Sequence, residues 1–111
     1  MTKIIYNKLV RDNIINIIKE DNKQADYIIL NNIDYKEALK LKVIEEAKEL
    51  YEAKTDKDIK NELSDIIELL ETIISVENID PIELESIRLK KSSSNGKFKD
   101  KLYLKSVTDN E

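Results

Sequence analysis

Between Thr55 and Glu77, Ile59, Leu63, Ile66, Leu70 and Ile73 recur at three- and four-residue intervals, with no glycine or proline among them. That period puts them on one side of an α-helix, which must cover the stripe with another element. One residue conflicts with the stripe. At about 100° per residue, the apolar arc runs from Leu69 through Ile73, Ile66, Ile59, Leu70 and Leu63 to Ile67, and Glu62 falls inside it. Asp65 lies just past the edge, three residues on, so the two Cβ atoms stand ~5–6 Å apart. Carboxylates so close and facing inward repel each other and lose hydration. Either a lysine or arginine pairs with them, or a cation sits between them.

The preceding segment repeats the arrangement. A helix over Tyr35 to Ala53 gathers Leu39, Val43, Ala47 and Leu50 on one face, with Ile44 and Tyr51 at its edge. Glu46 borders that face and Glu49 follows three residues later on the same flank, while Glu45 points further away. If the two helices pack antiparallel across the short "TDKD" turn, Glu46 and Glu49 confront Glu62 and Asp65 across a cleft. Four carboxylates there call for compensation, and a hard divalent ion such as Mg²⁺ supplies it through oxygen ligands. Glu45, Glu52, Glu68 and Glu71 lie off the apolar arcs and read as solvated surface.

The remaining segments are shorter. Val10, Ile14 and Ile17/Ile18 predict a helix from about Leu9 to Lys19 or Glu20. "ADYIIL" and "LYLKSV" are short, β-rich runs that would suit a small two-stranded β element. Asp34 is the expected cap of the second helix and Thr55 or Asp56 that of the third. Asp80, Pro81 and Glu83 predict a fourth helix with a capping box, followed by a loop at "SSSNG". With 38% charged residues, one glycine and one proline, the composition favours an all-α helical bundle. At 111 residues the chain suits a single domain over residues 1–107 with a frayed tail at 108–111. So short a chain has reason to oligomerise.

Composition also excludes chemistry. The chain has no cysteine and no histidine, which removes thiol nucleophiles, imidazole bases and the usual zinc sites. A metal would be held by oxygen, as Mg²⁺, Mn²⁺ or Ca²⁺ are. The net charge of −4 argues against a general nucleic-acid partner. No apolar run approaches the ~20 residues that span a bilayer, and no leader-like segment opens the chain, so the expected compartment is the cytoplasm.

The order Glu45-Glu46-x-x-Glu49, then Glu62-x-x-Asp65, resembles the E-E-x-x-E…E-x-x-D signature of the all-α NTP pyrophosphohydrolases: the MazG-like proteins, dimeric dUTPases and phosphoribosyl-ATP pyrophosphohydrolases. The opening "YNKLVRDNI" is similar to the "YNKLVRDKIP" start of a phosphoribosyl-ATP pyrophosphohydrolase-like subgroup. Gly96-x-Phe98 followed by "LYL" resembles its close. The likeness runs in order along nearly the whole chain. Departures are Asn13 for a basic residue, Ile15 for proline, and "SSSNGKF" for a more charged, double-glycine loop. None touches the carboxylates.

The resemblance implies cleavage of a nucleoside triphosphate between its α and β phosphates, giving monophosphate and pyrophosphate. It implies Mg²⁺, with Mn²⁺ as a substitute, held by Glu46, Glu49, Glu62 and Asp65. Glu45 occupies a motif position but a poor angle for ligation, so its implied catalytic role is to orient a ligand or activate the water. Asn7, Lys8 and Arg11 in the matched opening and Lys97 in the matched ending are the expected substrate contacts, Arg11 foremost because a guanidinium can grip phosphate with two hydrogen bonds. Tyr6, Tyr35, Tyr51 and Tyr103 read as core or rim residues. The implied assembly is a homodimer or higher homo-oligomer. Two other readings use the same residues: a non-catalytic helical module that binds a nucleotide or a partner protein, and an acidic bundle in which Glu62 is only structural.

Overall fold

The computed structural model describes residues 2–110. The described fold is all-α, with four helices: α1 (Ile14–Glu20), α2 (Asn32–Glu52), α3 (Asp56–Val76) and α4 (Pro81–Asn95). The chain divides into two compact units, one ending at Asn78 and one beginning at Ile79. No helix among the described residues is long and apolar enough to cross a membrane.

In the first unit α2 and α3 form an antiparallel hairpin. Only residues 53–55 connect two 21-residue helices, and so short a link folds the second helix back along the first. The Lys36 ammonium near the start of α2 lies 3.7 Å from the Glu77 carboxylate just past the end of α3, which fixes the opposed directions. Leu39 on α2 is buried, 2% exposed. The stripe of α3 is covered only in part: Leu63 and Leu70 keep 43% and 47% of their surface exposed. One neighbouring helix cannot close an arc as wide as the one from Leu69 to Ile67.

Helix starts follow local chemistry. Asn31, not Asp34, caps α2: its Oδ1 accepts the Asp34 N–H at 2.8 Å, and its Nδ2 donates to Asp34 Oδ2 at 3.1 Å. Asp34 therefore sits at the third helical position and answers its cap, as in a capping box, with its charge near the positive end of the helix. Thr55 caps α3 by accepting the Asp58 N–H at 3.1 Å.

In the second unit, Asp80 caps α4 through the Ile82 N–H at 3.0 Å, with Pro81 in the first turn. Glu83 makes no return bond among the described residues, so it adds charge but no second capping bond. The expected loop at "SSSN" is helical instead. Serine is a middling helix former, not a breaker, and the helix continues to Gly96, whose φ of 85° ends it.

Two further expectations are corrected. Helix α1 begins at Ile14 instead of Leu9, because residues 7–12 run in irregular conformation, Asn7 with φ 46°, and Lys8 and Arg11 pair with α2 and α3. The short β element is not formed among the described residues. Residues 25–30 and 102–107 lack secondary structure, and Ile28, Ile29, Leu102 and Leu104 are exposed. An apolar, β-branched run becomes a strand only where a neighbour completes the ladder.

Candidate metal centre

The fourth and fifth turns of α2 and the second and third turns of α3 meet across the hairpin. Residues spaced three and four apart share a helix face, so Lys42, Glu45, Glu46 and Glu49 line up on α2, and Glu62 and Asp65 on α3. The structure brings all five predicted carboxylates into one cluster of two overlapping triads. Carboxylate oxygens of Glu45, Glu46 and Glu49 lie within 4.8 Å of one another, as do those of Glu46, Glu62 and Asp65. Glu46 belongs to both triads and is the buried member, 7% exposed. Glu45, Glu62 and Asp65 are half-buried and Glu49 is exposed. A shallow hollow of about 210 Å³ opens beside them, lined by Glu49, Glu52, Ala53, Asp58 and Glu62.

Three cations meet this cluster. Lys42 Nζ lies 3.1 Å from Glu45 and 3.6 Å from Glu46. Lys8 Nζ lies 3.6 Å from Glu45. Arg11 Nη2 donates to Asp65 Oδ1 at 2.7 Å, and its Nη1 lies 3.9 Å from Glu68. The opening segment thus reaches α2 through Lys8 and α3 through Arg11. With all five carboxylates ionised, three cations leave a deficit of two charges.

The deficit is localised. Glu46 Oε2 and Glu62 Oε2 are buried and have no hydrogen-bond partner. Among the described residues no lysine or arginine pairs with Glu62, which removes the ion-pair account of its place in the stripe. Burial, foremost, pushes the Glu46 carboxyl above its ordinary range; the adjoining Glu62 carboxyl and the charge of Asp65 add to this, while Glu49 and Lys42 oppose it. Glu49 is also raised, first by the neighbouring Glu46 carboxyl and then by lost hydration. These carboxyls cannot all ionise cheaply beside one another. Buried acceptor oxygens on facing helices, without donors and with two charges uncompensated, fit a divalent, oxygen-preferring cation.

The predicted substrate residues fall in different places. Lys8 and Arg11 stand at the cluster. Asn7 is exposed beside them in sequence, in left-handed conformation. Lys97 is exposed in the second unit, just after Gly96. Sequence reasoning passed over Lys42, whose signal was legible: a lysine three and four residues before Glu45 and Glu46 must share their face. It also did not single out Asp58, although Asp58 and Glu62 are i, i+4 neighbours lining the hollow.

No family model, curated protein or solved structure matches the chain.

Proposed function

We propose that the protein is a Mg²⁺-dependent nucleoside triphosphate pyrophosphohydrolase, with Mn²⁺ able to substitute, that converts an NTP, a dNTP or a related nucleotide to the monophosphate and pyrophosphate, in a house-cleaning role. The observation that carries this reading is the pair of buried, unpartnered oxygens on Glu46 and Glu62. They lie where the E-E-x-x-E…E-x-x-D order puts its ligands.

Glu46, Glu62 and Asp65 would hold the cation, with Glu49 joining from the open side of the cluster. When bound, the cation would neutralise phosphate charge and polarise a water for in-line attack. The chain's own groups do the rest. Glu45 is tied to Lys8 and Lys42, so it positions cations at the rim and is placed to take a proton from water. Lys8 and Arg11 bring positive charge to the phosphates. Asn7 and Lys97 are offered as further substrate contacts. The partly uncovered stripe at Leu63 and Leu70 supports assembly with a second copy of the chain.

The test is incubation with a panel of common, deoxy and damaged nucleoside triphosphates, in Mg²⁺ and in EDTA, with wild type beside Glu62→Gln. Monophosphate and pyrophosphate that vanish with EDTA and in the variant are the expected result. Binding without turnover on any substrate assigns the protein to the non-catalytic module instead. Sedimentation of the same samples reads the assembly.

A further inference from the structure

Arg11 holds one of the residues that the proposed cation needs. Its Nη2 is 2.7 Å from Asp65 Oδ1, and Asp65 is a member of the Glu46–Glu62–Asp65 triad. A guanidinium and a divalent ion on one carboxylate repel each other, so each weakens the other's hold. The arginine's grip is also light. It makes one short hydrogen bond to Asp65, and its second nitrogen only approaches Glu68, at 3.9 Å, so the two-pronged geometry that makes arginine pairs strong is absent. The side chain is 58% exposed. Residues 7–12 lie in no helix or strand, and the segment has a second ion pair besides the guanidinium, Lys8 with Glu45. The arginine can therefore leave Asp65 without melting any element.

We propose that Arg11 is a cation-displaced latch. Its guanidinium neutralises Asp65 while the centre holds no divalent ion. It is driven off when one binds and is then free for the anionic oxygens of the incoming phosphates. The opening segment thus orders the events: cation first, phosphate grip second. This inference rests on the metal-centre reading above and deepens it, since it makes one residue serve as both substitute counter-ion and substrate contact.

The test uses the full chain and Mg²⁺ alone, without nucleotide. Isothermal titration compares wild type, Arg11→Gln and Arg11→Lys, each checked for wild-type helicity by circular dichroism. Loss of the competitor should tighten Mg²⁺ binding about five- to tenfold in Arg11→Gln, with Arg11→Lys between the two. In parallel, trypsin should cut wild type after Arg11 several times faster in Mg²⁺ than in EDTA, measured against the bond after Lys3. Mg²⁺ affinity unchanged or weaker in Arg11→Gln, or a cleavage ratio that Mg²⁺ leaves alone, overturns the latch while the metal centre stands. Absence of Mg²⁺ binding in all three proteins overturns the metal centre and the latch together.

Discussion

Replacing Glu62 by glutamine should make the metal-free protein more stable and the Mg²⁺-treated protein less so. The reasoning starts from the triad whose oxygens lie within 4.8 Å of one another. Two ionised carboxylates at that distance repel by about 0.9 kcal/mol in bulk water and about 3.5 kcal/mol at an effective dielectric constant of 20. Glu62 takes part in two such pairs, with Glu46 and with Asp65. Arg11 and Lys42 offset part of the field, and the site is only half-buried, so a net relief of about 1–2 kcal/mol is expected. Glutamine keeps the shape of the side chain, so packing at the stripe is preserved. For a domain of this size the relief raises Tm in EDTA by roughly 4–10 °C. In Mg²⁺ at a hundred times its Kd, wild type gains about 2.7 kcal/mol, and the variant gains little. Thermal unfolding in EDTA and in Mg²⁺, at one fixed protein concentration, gives all four numbers. A lower Tm for Glu62→Gln in EDTA would refute the argument, because the carboxylate would then be held by a cationic partner and not opposed by its neighbours.

Further expectations follow from the same geometry. Lys42→Gln should act with the opposite sign, lowering Tm in EDTA by an amount equivalent to about 1 kcal/mol and enlarging the Mg²⁺-induced rise, since its ammonium serves both Glu45 and Glu46. The carboxyls of Glu46 and Glu49 bind protons more tightly folded than unfolded, so their stabilising protonation is complete below the ordinary glutamate range and is lost as pH rises through their raised values. Tm in EDTA should therefore climb as pH falls from neutral toward the ordinary glutamate range, and a Glu46→Gln/Glu49→Gln double variant should flatten the profile. Glu85, held below its usual range by Arg88, acts in the other sense and only at lower pH. Asn31→Ala and Thr55→Ala should each cost about 1 kcal/mol in chemical denaturation through loss of a helix cap.

What could be read from the sequence was what local periodicity controls. The stripe of Ile59, Leu63, Ile66 and Leu70 announced α3, the polar break before it announced a hairpin, and the displaced Glu62 announced the cluster. The misreadings share a cause. Asp34 as a cap, the helix from Leu9 and the strands near Ile28 and Leu102 were all judged on residues that a neighbour could outbid. Asn31 makes the better cap because it both accepts from and donates to Asp34. Leu9 and Val10 fit the helical period, but Lys8 and Arg11 engage Glu45 and Asp65 from an irregular segment. Which cation answers which carboxylate is a property of the hairpin's register, which no local window contains.

That register explains why a glutamate stands where leucine would serve the fold better. Leucine at position 62 would widen the stripe of α3 and remove two repulsions. It would also leave Glu46, with its buried Oε2, facing only Asp65 of the two α3 carboxylates in its triad. The opening segment supplies a cation to two of the cluster's other three carboxylates, Lys8 to Glu45 and Arg11 to Asp65. Of the inner pair, Glu46 is met by Lys42 at 3.6 Å, and Glu62 is met by no lysine or arginine among the described residues. A bundle built for stability alone would neutralise the buried acids first and the rim last. Here Glu46 has Lys42 at 3.6 Å while the half-buried Glu62 has no lysine or arginine among the described residues, and it is this one unanswered inner carboxylate that the proposed cation would serve.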